Sequence, residues 1–214
     1  MSFASSAARV RDPGLPWGRR VNALGSCVQI YRPLGFTITL SLLTRLAGPY
    51  ARDEAALLAA LDLLSASRAA RLRASEAYAA RRSAAKRAGR RVPGTEETNP
   101  HRSLRWDADP HEGALHALWY WTRKRFAALT ATGHPAAVDL RRMATTCLTT
   151  GRLDPADRHV LALHVRSLHR PDPPAPLTYW HRNDLLTIAE HLTTADESAP
   201  APPDDHHFRP ERAV

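Results

Sequence analysis

Nine basic side chains and one acid stand between Arg68 and Arg91, in a stretch that otherwise reads as Ala-rich helix. Cations packed this densely do one kind of chemistry unaided, the neutralisation of phosphate or carboxylate oxygens. The stretch carries a net +8 of the chain's formal +9, so the charge excess lives on one element. Arg68, Arg71, Arg82, Lys86 and Arg90 fall in line at three-and-four spacing and extend the apolar stripe of Leu57, Leu61 and Leu64. A long helix rooted by its leucines and cationic beyond them is therefore predicted to protrude and meet DNA or RNA. Phosphates, and not base edges, would be read, because the stripe holds no Asn or Gln among its Arg, Lys and Ala.

A second cluster is WYWTRKRF, Trp119 to Phe126. Three consecutive aromatics on a helix fan over about 200°, so they cannot share one core. Trp119 aligns with Leu115 and Phe126 and is expected inside. Trp121 precedes Lys124 and Arg125 by three and four residues, which suits a cation–π contact; burial against a neighbouring helix is the first reading of it, and an exposed platform for a partner or for base stacking is the functional one. Arg123, Lys124 and Arg125 then form a second phosphate contact. The rival functional class is a protein-interaction or assembly module, in which Ala70, Ala77, Ala80, Ala84 and Ala88 let two helices approach and Trp121 anchors the contact.

The titratable residues give less. His111-Glu112 and His116 resemble a zinc-protease helix, but that chemistry needs its histidines four apart on one face, and here they are five apart. A Glu112–His116 surface pair is the expected outcome. His159, His164 and His169 also step by five and diverge, and His206-His207 beside Asp204-Asp205 sits in an acidic, Pro-rich tail. Cys27 and Cys147 are 120 positions apart without a C-x-x-C. With no phosphate-cradling glycine loop and no nucleophile beside a base, the chain reads as non-enzymatic, with no metal and no cofactor. The Arg preference itself, 28 against 2 Lys, carries no functional weight, since GC-rich coding produces it in any protein.

The elements that must position these residues read as a mainly α protein, a helical bundle with one long protruding basic helix. Residues 1–20 are expected to be an irregular tail, 21–194 a single helical domain with a linker at 92–105 and a proline spacer at 171–176, and 195–214 a disordered tail. Around Pro33-Leu34-Gly35, the alternation of Phe36, Ile38, Leu40 and Leu42 with Thr37, Thr39 and Ser41 favours a small N-terminal β-hairpin. A helix over Thr37–Ala47 competes with it. Asp109-Pro110 and Asp154-Pro155 are helix starts, and Gly133 and Gly151 are stops. The expected core is Leu57, Leu61, Leu64, Leu115, Trp119, Phe126, Leu161, Leu168, Leu185, Ile188 and Leu192, with Trp180 on the apolar face of the last helix. The longest apolar run, Leu34 to Thr44, is far short of the ~20 residues of a membrane span. Two free thiols and no apolar N-terminal segment of signal-peptide length point to the cytoplasm.

Overall fold

The computed structural model describes residues 1–93, 99–100, 103–170 and 177–200. The regular elements among the described residues are helices: α1 (Phe3–Arg11), α2 (Trp17–Ile30), α3 (Phe36–Ala47), α4 (Glu54–Arg87), α5 (Pro110–Lys124), α6 (Phe126–Thr130), α7 (Pro135–Thr150), α8 (Pro155–Leu168) and α9 (Tyr179–Glu197). Helices α1 to α4 pack on one another, as do α5 to α9, and the packing of α3 on α5 joins the two groups. The starts follow capping chemistry. Asp53, Asp109 and Asp154 each accept a first-turn amide, at 2.7, 3.0 and 2.9 Å. Gly151, at φ 76°, closes α7 in the left-handed conformation that a side chain would resist.

Residues 1–20 are not an irregular tail. Ser2 and Ser5 form a capping box, and Phe3, Ala7 and Val10 recur on one face of α1 and are buried. This helical spacing lies among arginines and is easily passed over. Arg20 is itself buried, its Nε donating to the Val10 carbonyl at 2.8 Å and its guanidinium pairing with Glu54 at 2.6 Å. The hairpin reading is also overturned. Residues 36–47 are helix α3, and its buried positions are Ile38, Thr39, Leu42 and Leu43. A lone two-stranded ribbon would have left one face and both edges unsupported. In the helix, Thr39 and Thr44 hide their hydroxyls on the carbonyls of Gly35 and Leu40.

The buried core contains Leu57, Leu61, Leu64, Phe126, Leu161, Leu168, Leu185, Ile188 and Leu192, with Leu115 half-buried against it. Two expected members fail. Trp119 is 39% exposed and Trp180 is 75% exposed. Of the expected connections, residues 171–176, and the part of 92–105 at 94–98 and 101–102, lie outside the described residues. Leu104 is anchored, its amide donating to the Glu190 carboxylate at 2.8 Å. Ala195 is buried in the last turn of α9, so the tail does not begin there, and 201–214 lie outside the described residues. No helix among the described residues is long and apolar enough to cross a membrane.

Candidate functional site

The cationic line on α4 continues the leucine face, as the spacing requires, but part of it is turned inward. Arg71 follows Leu64 by seven residues, and its guanidinium is the centre of a clamp. Its Nε pairs with the Asp107 carboxylate at 2.6 Å, and its terminal nitrogens donate to the carbonyls of Pro100, Ser103 (2.9 Å) and Arg105 (3.1 Å). Asp107 also accepts from the Tyr31 hydroxyl at 3.1 Å, and its own amide donates to Ser67 Oγ at 3.0 Å. Both charges of the Arg71–Asp107 pair are largely withdrawn from water, with side-chain exposures of 13% and 11%. Burial beside this carboxylate raises the Tyr31 hydroxyl well above its ordinary range, so it stays a neutral donor.

Arg82 repeats the device one helical stretch further on. It is 8% exposed, and its guanidinium donates to the Arg91 carbonyl at 2.8 Å and reaches that of Arg90 at 3.5 Å. Gly89, at φ 82°, allows the reversal that brings these carbonyls back. The physical reason for both clamps is the same: a connecting segment leaves carbonyls without helical partners, and guanidinium offers several donors in a fixed fork. Arg71 and Arg82 are thereby removed from the phosphate-binding stripe expected of them.

Arg68 is half-buried, its guanidinium carbon 4.7 Å above the Phe3 ring. Lys86 and Arg90 remain exposed, and so do Arg73, Arg81, Arg87 and Arg91, with Glu76 the one acid in the segment. None of these six cations forms an ion pair with a described residue. Arg73, Arg81 and Arg87 lie within an arc of about 120° at 100° per residue, on the side of α4 turned from the clamps.

The comparisons with family models, curated proteins and solved structures find no match for this chain.

The second cluster is rearranged. Trp121 is 6% exposed, so burial against a neighbouring helix holds and the partner-binding platform does not; Arg125 covers its ring at 5.4 Å while pairing with Asp184 at 3.5 Å. Antiparallel packing of α5 on α9 puts Trp121 on the inner face, a long-range fact that no local spacing reveals. Trp119 takes the outer role: it stacks on His116 at 5.4 Å and lies under Arg123 at 5.3 Å. Arg123 and Lys124 are exposed. These residues end α5 about 21 Å along its axis from its start, which lies three residues past Asp107, the partner of Arg71.

The histidines are pulled apart. His111 Nδ1 lies 3.0 Å from the Ala195 carbonyl, while His116 is buried with Nε2 3.1 Å from Ser41 Oγ. Glu112 pairs with Arg45, so no Glu112–His116 pair forms. Burial, aided by Arg45, lowers His116 to about 4. His191 is fully buried, neither ring nitrogen has a partner among the described residues, and burial lowers it to about 4 as well. Desolvation raises the Cys27 and Cys147 thiols to about 11, leaving both unreactive at neutral pH. Two features escape sequence reading altogether: Asp107, one of several acids after the linker, and the exposure of Tyr179 and Trp180, whose only signal is two adjacent aromatics at a helix start.

Proposed function

We propose that the chain is a non-enzymatic nucleic-acid-binding protein whose α4 contacts phosphates with little regard to base sequence. The observation that carries this reading is the set of exposed cations on the distal half of α4, Arg73, Arg81, Lys86 and Arg87, with Arg90 and Arg91 just past its end, without ion-pair partners among the described residues. The contact face is moved from the expected stripe to Arg73, Arg81 and Arg87. Arg71 and Arg82 serve it indirectly, by fastening the chain that returns along the helix. In this reading the distal half stands clear of the bundle, since α4 packs on α1, α2 and α3 through its leucine half. The assembly-module alternative is not favoured, because the tryptophan at its centre, Trp121, is buried.

Three to five neutralised phosphates correspond to a log–log salt slope of about −2.7 to −4.5 for a duplex of arbitrary sequence. Replacing Arg73, Arg81 and Arg87 with Ala is expected to flatten that slope by about 2 to 3, with unfolding unchanged because all three are exposed. A variant that binds duplex with the parent slope, or a parent that binds no duplex at low salt, would overturn the proposal.

A further inference from the structure

The start of α9 carries the most exposed aromatic surface among the described residues. Trp180 and Tyr179 are 75% and 69% exposed, and their rings meet edge to face at 5.5 Å with 76° between planes. Adjacent helix positions give the two rings different flanks. Trp180 lies one turn before Asp184 on the same face of α9, and Asp184 holds Arg125 at 3.5 Å, with exposed Lys124 beside it in sequence. Tyr179 lies three residues before Arg182, whose guanidinium grips the carbonyls of Leu168 and Arg170, and the Arg170 side chain is exposed. The order across this end of the molecule is thus cation, aromatic, aromatic, cation. Among these described residues the one carboxylate is Asp184, which Arg125 engages.

We infer that this surface binds single-stranded nucleic acid, with unpaired bases stacked on Trp180 and Tyr179 and the flanking phosphates held by Arg125, Lys124 and Arg170. An exposed ring face between cations matches the two chemically distinct parts of a nucleotide, a flat base and an anionic link. Bases within a duplex are already stacked and offer no free face, so the rings select for single strands. A protein partner is the poorer fit. Interface anchors sit in desolvated pockets, whereas these rings are exposed and their neighbours in sequence, Thr178, His181, Arg182 and Asn183, are polar. The inference rests on the reading of the chain as a nucleic-acid binder, but it concerns a different surface from α4 and can fail without it.

The test is anisotropy of the full-length protein titrated into a labelled oligothymidine of about 20 nucleotides and a duplex of equal length, at low salt. The parent is expected to bind the single strand more tightly than the duplex. Replacing Tyr179 and Trp180 together with Ala is expected to cost at least about tenfold on the single strand and less than about twofold on the duplex. Trp180→Phe, which keeps a ring, is expected to restore most of the loss, and Lys124→Ala to flatten the single-strand salt slope by about one unit. Equal losses on both ligands, an unchanged single-strand affinity, or no preference in a parent that does bind duplex would overturn this inference while leaving the α4 reading in place. Failure of the parent to bind either ligand would overturn both. A parent dimer that the double variant dissolves, with oligothymidine affinity unchanged, would assign the surface to a second copy of the chain instead.

Discussion

Acid should unfold this protein unusually early, and one substitution should delay it. His116 and His191 are both buried, and desolvation lowers each from 6.5 to about 4. Between those values the unfolded chain takes up a proton at each site and the folded chain does not. Stability that is fully present above about pH 6.5 is therefore lost as pH falls toward about 4. Each shift of about 2.5 units corresponds to about 3 kcal/mol, of which about 2 kcal/mol is gone by about pH 5. Two such groups together remove about 4 kcal/mol between about pH 7 and pH 5, a large part of an ordinary domain's 5–15 kcal/mol. His191 is the cleaner target, because both of its ring nitrogens are buried without partners. His191→Leu removes the orphaned nitrogens at similar volume, so it is expected to gain about 1–2 kcal/mol at neutral pH and to halve the acid slope. Urea unfolding followed by circular dichroism at several pH values measures both quantities. A variant less stable by more than about 1 kcal/mol at neutral pH, or one with the parent's acid slope, would refute the reasoning.

Arg71→Ala strands Asp107 without its counter-ion and should cost about 3–5 kcal/mol in urea melts, whereas Arg81→Ala should stay within about 0.5 kcal/mol. Gly113→Ala should lose about 3 kcal/mol or more, because the new Cβ would sit 2.3 Å from Trp106 Cβ, and a shifted or absent thermal transition reports it. Trp121→Ala should cost about 3–5 kcal/mol and Trp119→Ala far less, so equal melting temperatures for the pair would contradict their placement.

The helix starts were legible locally, whereas the spacing of α1 and α3, just as local, misled. Asp-Pro pairs mark helix starts because the aspartate oxygen and the missing proline amide answer the same unpaired-donor problem, and both marked starts carry helices. Alternation at residues 36–42 pointed to a strand because threonine is polar in a list of letters, although in a helix it can fold its hydroxyl onto its own backbone. Arg68, Arg71, Arg82 and Lys86 do share one face of α4, and Arg90 leaves it because the helix ends at Arg87 and the chain reverses at Gly89, yet nothing local says whether a face looks onto water or onto a returning segment. Arg71 and Lys86 differ only in what passes beside them. The Trp119 and Trp121 reversal has the same origin, since the side of α5 that meets α9 is decided by residues about 65 positions away.

The guanidinium clamps divide the arginines into two populations under mutational drift. At Arg73, Arg81 or Arg87 an exchange for lysine keeps the charge and should pass through selection almost silently. At Arg20 the fork joins the Val10 carbonyl to the Glu54 carboxylate, and at Arg71, Arg82 and Arg182 it spans two or more carbonyls, so shape as well as charge closes the loops and a lysine ammonium cannot reproduce the reach. A deep mutational scan for folded protein should therefore sort identical-looking arginines by Arg-to-Lys tolerance alone, and the intolerant class should trace the path of the connecting segments through the fold.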